Sequence, residues 1–187
     1  MQLLKRTYSQ NESEIVLVGN ESHGQPRTVL IIGATHGDEP QGKILIENYL
    51  ESIRDDEQKS NPKNRLLFIP CLNPDGFELE IRQNENEIDI NRNFPTKNWV
   101  REPFASEYFG GEEPASEIET KFIMEILDEY SPDVILTLHA PFKVVNYDGP
   151  AKDFAEKISE IIGYPVQGDI GYPTPGSFGT YAGVERS

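Results

Sequence analysis

The chain of 187 residues has one cysteine, few basic residues and no long apolar run, and each shortage excludes something. A single cysteine, Cys71, cannot close a disulfide within the chain. It lies inside Leu66-Leu-Phe-Ile-Pro-Cys-Leu72, where a small buried residue is expected rather than a nucleophile. Seventeen Lys and Arg stand against 32 Asp and Glu, a net charge of −15. No basic stripe is therefore available to displace counterions from a phosphate backbone, and nucleic acid is not an expected partner. The acidic surplus reads as a solvated surface and identifies no substrate. No stretch approaches the ~20 apolar residues that cross a bilayer, so no membrane partner is expected. The start, Met1 to Tyr8, lacks the apolar core and small-residue cleavage site of a secretory signal. Together with the lone cysteine this predicts a reducing, cytoplasmic setting. No phosphate-binding loop or dinucleotide fingerprint is present.

What is present fits one domain, long enough to bury roughly 70% of its unfolded surface. Glu14–Gly19 is short, β-branched and bounded by polar clusters, and reads as a first strand near a sheet edge. Thr28–Gly33 is a more apolar strand. Pro40 then opens a helix whose Ile46, Tyr49, Leu50 and Ile53 recur at helical spacing, followed by a charged loop from Arg54 to Asn64. Arg65–Leu72 is the next strand, stopped by the turn signal Asn73-Pro-Asp-Gly76. From Phe77 to Gly111 the chain loses periodicity and carries its only tryptophan, Trp99; long irregular segments in compact domains tend to be functional. Ser116-Glu-Ile-Glu119 predicts a capping box for a helix with a buried face of Ile118, Phe122, Ile126 and Tyr130, ended by Ser131-Pro132. Val134–His139 and the shorter Lys143–Tyr147 read as strands, Ala151–Ile162 as a helix with Phe154, Ile158 and Ile161 inward, and Gly163–Ser187 as loop. Alternating strands and helices predict an α/β fold of three layers, α/β/α, with a mostly parallel mixed sheet.

The stretch most suggestive of chemistry is Thr35-His36-Gly37-Asp38-Glu39-Pro40, which follows the strand Thr28–Gly33. An imidazole and a carboxylate three residues apart on a strand-end turn make half of a zinc site. Catalytic zinc takes three protein ligands and leaves a position to water, and His139, at the end of another strand, is a candidate third. His36, Asn73 and His139 all follow strands, and open α/β sheets place their sites at strand carboxyl ends. Each histidine taken alone has a second reading, as a hydrogen-bonded structural residue. Arg92, fenced by Asn91 and Asn93 in Asp89-Ile-Asn-Arg-Asn-Phe-Pro95, is either a structural ion-pair partner or a planar fork for a substrate carboxylate. Gly176-Ser-Phe-Gly179 lacks the strand-to-helix elbow that exposes a serine nucleophile.

His36-Gly-Asp-Glu39, Asn73-Pro-Asp-Gly76, Asp89-Ile-Asn-Arg-Asn-Phe94, Leu138-His-Ala-Pro141 and Gly171-Tyr-Pro-Thr-Pro-Gly-Ser-Phe-Gly179 come in an order that resembles the zinc carboxypeptidases, and among them the bacterial murein tripeptide amidases. The resemblance runs from about Val29 to Ser187. It implies one zinc per chain held by His36, Glu39 and His139, with Asp89 orienting the first histidine. It implies that Arg82 stabilises an oxyanion, that Asn91 and Arg92 grip a carboxylate, and that Tyr172 is a mobile tyrosine over the substrate. Tyr172 also reads as a loop residue packed between prolines. The family's general-base glutamate follows the segment that matches Glu185-Arg186-Ser187, so the resemblance implies a single domain, residues 1–187, that is incomplete at its C-terminus, with Glu185 not the base and a sheet edge left unpaired.

Three functions follow from the resemblance. One is a zinc-dependent metallohydrolase that cleaves an amide next to a carboxylate-bearing residue, the γ-D-glutamyl–diaminopimelate bond of murein peptides being the expected target. Another is a zinc-bearing module that binds carboxylated peptides without turning them over. The third is a zinc deacylase of N-acyl amino acids. The implied partner is a small peptide with a free carboxylate; the oligomeric state stays open.

Overall fold

The structure, a computed structural model, describes residues 1–20, 24, 27–54 and 63–186. Its main sheet has five strands: β1 (Gln2–Tyr8), β2 (Glu14–Gly19), β3 (Thr28–Ile32), β4 (Arg65–Ile69) and β5 (Val134–Thr137), in the order β1-β2-β4-β3-β5. The β1/β2 and β2/β4 pairs are antiparallel; β3 is parallel to both β4 and β5. The helices are α1 (Gln41–Ser52), α2 (Pro74–Leu79), α3 (Ile118–Tyr130) and α4 (Lys152–Ile162). A small parallel pair, β6 (Val145–Asn146) and β7 (Val166–Gln167), stands apart from the main sheet. Among the described residues no helix is long and apolar enough to cross a membrane.

The register decides which side chains share a face, because alternate residues of a strand point to opposite sides. Leu30 faces Leu67 and Ile32 faces Ile69; with Ile15 and Leu17 they are fully buried under Phe122, Ile123, Ile126 and Leu127 of α3. On the opposite side Val18 pairs with Phe68, and Phe68 meets Tyr49 of α1 with ring centroids 5.6 Å apart. One helix layer thus covers each face, the expected three-layer arrangement. The central strands β3 and β4 are buried on both sides, which accounts for their nearly continuous apolar sequence.

Several elements differ from the sequence-based reading. A strand, β1, precedes the expected first one, and its pairing with β2 moves β2 away from the edge. Asn73-Pro-Asp-Gly76 does not merely turn: the Asn73 side chain accepts the Gly76 N–H at 2.9 Å and Pro74 begins α2. The capping box does not form. Ser116 Oγ instead donates to Glu117 Oε1 at 2.6 Å and receives Asn93 Nδ2 at 2.9 Å, and α3 starts after Glu117 with no side-chain cap. Ile161 of α4 is 83% exposed, so Ala155 is the buried residue there and the inner face is narrower than the spacing predicts. Lys143–Tyr147 contributes the two-residue β6, which does not join the main sheet. Gly163–Ser187 holds β7 and a helical turn over Thr180–Glu185 rather than loop alone. The charged loop Arg54–Asn64 falls largely outside the described residues.

Candidate metal centre

The parallel strands β4, β3 and β5 end on the same side, and each hands its chain to a residue of the site. After β3 the backbone stays bonded to its neighbours, with Leu72 N donating to Gly33 O at 3.1 Å and Asn73 N to Ala34 O at 2.9 Å. After β5, Leu138 N donates to Ile32 O at 2.9 Å, which places His139 beside the β3 turn. Gly37 sits so close to α2 that a Cβ there would lie 2.0 Å from the Gly76 carbonyl carbon, so this position requires glycine. Asn73 completes the frame by donating to Gln83 O at 3.1 Å, fixing the strand of loop that carries Arg82.

Within this frame His36, Glu39 and His139 offer one ligand atom each, all within 4.8 Å of one another. Glu39 Oε1 is 3.0 Å from His36 Nδ1 and Oε2 is 2.8 Å from His139 Nδ1; the two rings are 4.9 Å apart. Ala140 N also donates to Glu39 Oε2, at 3.1 Å. The far nitrogen of His36, Nε2, meets Asp89 Oδ1 at 3.1 Å. That partnership favours a proton on Nε2 and turns the Nδ1 lone pair toward Glu39 and His139, the orientation a metal-bound histidine needs. Two imidazole nitrogens and a carboxylate, with His36 and Glu39 buried and His139 open to solvent, form a donor set suited to zinc.

Charge compensation runs through Asp89, which has no exposed surface. Its burial works against ionisation, but the hydrogen bond to His36 and the charges of His36, Arg82 and Arg92 outweigh it and hold the carboxyl at about 2. Glu39 behaves alike: burial pushes it up, and hydrogen bonds with His139 and His36 bring it well below the ordinary carboxylate range. For His36, burial disfavours the cation, yet Asp89 and Glu39 together raise its pKa. Arg82 Nε and Nη2 reach Asp89 Oδ2 at 2.9 and 2.8 Å, and Arg82 Nη1 stands 3.4 Å from His36 Nδ1. The guanidinium therefore borders the three-residue cluster while keeping 20% of its side-chain surface exposed.

The other candidates surround the same place. Asn91 Oδ1 accepts the Phe178 N–H at 2.9 Å, tying the glycine-rich loop to the Asp89–Arg92 turn. Arg92 is buried, donates from Nη1 to Asn91 O at 2.7 Å, donates to the Tyr172 side-chain oxygen, and among the described residues leaves Nε with no partner. Its burial lowers its pKa, the Asp89 charge only partly offsetting this. An orphaned buried guanidinium nitrogen is costly unless an anion completes it. Glu185 is occupied elsewhere, accepting the Lys97 N–H at 2.9 Å. Burial pushes the Cys71 thiol up to about 12, out of the range of a nucleophile.

The zinc carboxypeptidase family profile matches residues 1–158. The chain belongs to the zinc carboxypeptidase family. It is 29% identical over 163 residues to murein peptide amidase A of Escherichia coli K12, a match that covers 81% of this chain and 64% of that protein. The chain thus spans less than two thirds of the length of that curated relative. The crystal structure of the murein-tripeptide amidase of Escherichia coli O157 superposes with a TM-score of 0.78 at 26% identity, covering 94% of this chain and 75% of that one. Carboxypeptidase A of Helicoverpa armigera gives 0.78 at 16% identity, over 97% and 56%, and shares the fold.

The structure brings together every site residue expected from sequence: His36, Glu39, His139, Asp89, Arg82, Asn91, Arg92 and Tyr172. Two contributors were not expected. Ala140 supplies a backbone donor to Glu39, which no side-chain motif can announce. Tyr108 lies under both arginines, with its ring centroid 5.0 Å from Arg82 Cζ and 5.4 Å from Arg92 Cζ. It stands in the aperiodic Phe77–Gly111 segment, and only the irregularity of that segment marked it.

Proposed function

We propose that this protein is a zinc-dependent amidase acting next to a carboxylate-bearing residue in murein peptides, at the bond between γ-D-glutamate and diaminopimelate. The convergence of His36, Glu39 and His139 on one point, beside a buried arginine with an unpartnered nitrogen, carries the reading. The likeness to the two Escherichia coli amidases supports the substrate class. His36 Nδ1, His139 Nδ1 and the Glu39 carboxylate would hold one zinc, which when bound acidifies water and polarises a carbonyl. Asp89 keeps His36 in the ligating tautomer. Arg82, at the border of the cluster, faces the oxygen on which negative charge develops, where a preorganised donor is worth most. Arg92 and the Asn91 amide bind the carboxylate of the released residue, and Tyr172 closes over it beside Arg92.

A second reading rests on one observation. Both carboxylates at the centre are committed, Glu39 to two imidazoles and Asp89 to His36 and Arg82, so neither is disposed to take a proton from water. The protein would then bind zinc and carboxylated peptides without turnover. Elemental analysis of chain purified without chelators, combined with hydrolysis of the tripeptide L-alanyl-γ-D-glutamyl-diaminopimelate, tests both. One zinc per chain, lost in His36→Ala and in His139→Ala, is expected. Turnover then supports the amidase, bound zinc without turnover supports the binding module, and absence of zinc from the unmutated chain removes both.

A further inference from the structure

Two guanidinium groups assigned separate tasks, Arg82 at the carbonyl and Arg92 at the carboxylate, rest on one aromatic ring. Tyr108 is half-buried at the end of the short turn Ser106–Tyr108, 5.0 Å from Arg82 Cζ and 5.4 Å from Arg92 Cζ. Like charges at such proximity repel, and a ring presenting its electron-rich π system to both offsets that repulsion. Arg82 has a second anchor in Asp89, through its Nε and Nη2. Arg92 has less: Nη1 donates to the Asn91 carbonyl, the Tyr172 oxygen accepts a further hydrogen bond, and Nε has no partner among the described residues. The ring is therefore a principal restraint on the plane in which Arg92 presents its fork.

The turn that carries Tyr108 is bound to the segments that carry the arginines. Gln83 Nε2 donates to Ser106 O at 3.0 Å, next to Arg82 in sequence. Asp89 N donates to Phe109 O at 2.8 Å, and Asn93 Nδ2 to Gly110 O at 2.8 Å, on either side of Arg92. Phe104 stacks on the ring at 4.5 Å and Tyr172 tilts against it at 6.0 Å, so the ring is braced from two sides. We propose that Tyr108 is a positioning residue: its ring sets the spacing and orientation of Arg82 and Arg92, and so makes recognition depend on a carboxylate at a fixed distance from the carbonyl attacked. This rests on the amidase reading only through the carboxylate receptor assigned to Arg92, and holds equally for a module that does not hydrolyse.

Calorimetric titration of the zinc-loaded chain with a murein tripeptide whose γ-D-glutamyl–diaminopimelate amide is replaced by an uncleavable ketomethylene link, and with the same compound carrying a carboxamide in place of the diaminopimelate carboxylate beside that link, tests it. Unmutated chain is expected to prefer the carboxylate roughly ten- to hundredfold, the range for a charge-assisted hydrogen bond. Tyr108→Phe keeps the ring and is expected to keep that ratio. Tyr108→Leu is expected to bring the two affinities to within about threefold, most of that charge-assisted term being lost, with zinc content unchanged. A Tyr108→Leu protein that discriminates like the parent overturns the platform role, and so does a Tyr108→Phe protein that loses discrimination, an outcome readable even if the leucine variant does not fold. An unmutated chain that binds both peptides equally removes the carboxylate receptor itself, and the proposal with it.

Discussion

His36 is held at both ring nitrogens by carboxylates, Glu39 at Nδ1 and Asp89 at Nε2, and the two do different work. Glu39 also meets His139 and joins the donor set, whereas Asp89 is fully buried and joins the ring to Arg82. Asp89→Asn keeps the size and one acceptor but removes the charge that Arg82 and His36 share. Zinc affinity is expected to fall roughly 10- to 100-fold, the usual effect of removing the partner of a metal-bound histidine. Competition with a chromogenic chelator measures it; affinity equal to the parent's would mean that Asp89 serves Arg82 alone. At this scale the sequence was most legible where a residue's type and its place at a strand end coincide, as for His36 and His139. Tyr108 was illegible because an aromatic residue in an aperiodic segment has no spacing to mark it, and its role arises from arginines 26 and 16 positions before it.

The first turn of α3 shows what an element adds to its residues. Ser116 and Glu119 have the spacing of a capping box, yet Glu119 turns inward, 2% exposed, beside the buried Glu117 and with Asn84 Nδ2 at 3.4 Å. Burial, with the Glu117 charge adding to it, pushes the Glu119 carboxyl up to about 7. Its folded pKa thus exceeds the ordinary value of 4.5, so folding favours the protonated form. This contribution is whole below about pH 4.5 and is lost as pH rises through about 7, amounting to a penalty on the order of 3 kcal/mol at higher pH. Glu119→Gln, neutral at every pH, is therefore expected to be more stable than the parent to urea at about pH 8 and matched with it at about pH 5. Equal midpoints at both pH values would show that folding does not raise the pKa of Glu119. Helical spacing foretold α3 but not this inward carboxylate, because local capping competes with the Asn84, Asn86 and Asn93 side chains that reach the turn from elsewhere. Likewise α2 hid inside a turn signal, since Asn-Pro is equally the start of a helix whose first N–H groups need a side-chain acceptor.

Over the whole molecule the net charge of −15 sets a term that no single contact shows. Such an excess of one sign repels itself in the compact state, and added salt screens it. Raising sodium chloride from about 0.02 M to about 0.3 M shortens the screening length from roughly 20 Å to about 6 Å. The thermal midpoint is expected to rise by about 2–4 °C for each 1 kcal/mol of repulsion relieved. A fall in a calorimetric scan would show that attractive pairs such as Lys5 with Glu129 and Arg186 with Asp128 outweigh the net charge. The sheet itself is only partly legible in the sequence. Thr28–Ile32, Arg65–Ile69 and Val134–Thr137 were legible as strands because central strands buried on both sides are continuously apolar. β1 carries no such mark, because an edge strand with the pattern of Gln2–Tyr8 has mostly exposed or half-exposed residues and little apolar signature.

By itself the sequence determined the acidic surface, the α/β alternation and the residue types at the strand ends, because these depend on composition and on spacing within a few positions. It also carried the ordered motifs of the zinc carboxypeptidase family, with which the family match agrees. Only the tertiary structure decided that β3, β4 and β5 lie side by side and parallel, which brings His139 within 2.8 Å of Glu39, 100 positions earlier in the chain. Only it placed one tyrosine ring beneath two arginines and left a buried arginine nitrogen without a partner among the described residues. The reason is physical: a ligand set or a charge receptor consists of distances between side chains, and those distances are set by strand register and by packing between segments far apart in the sequence.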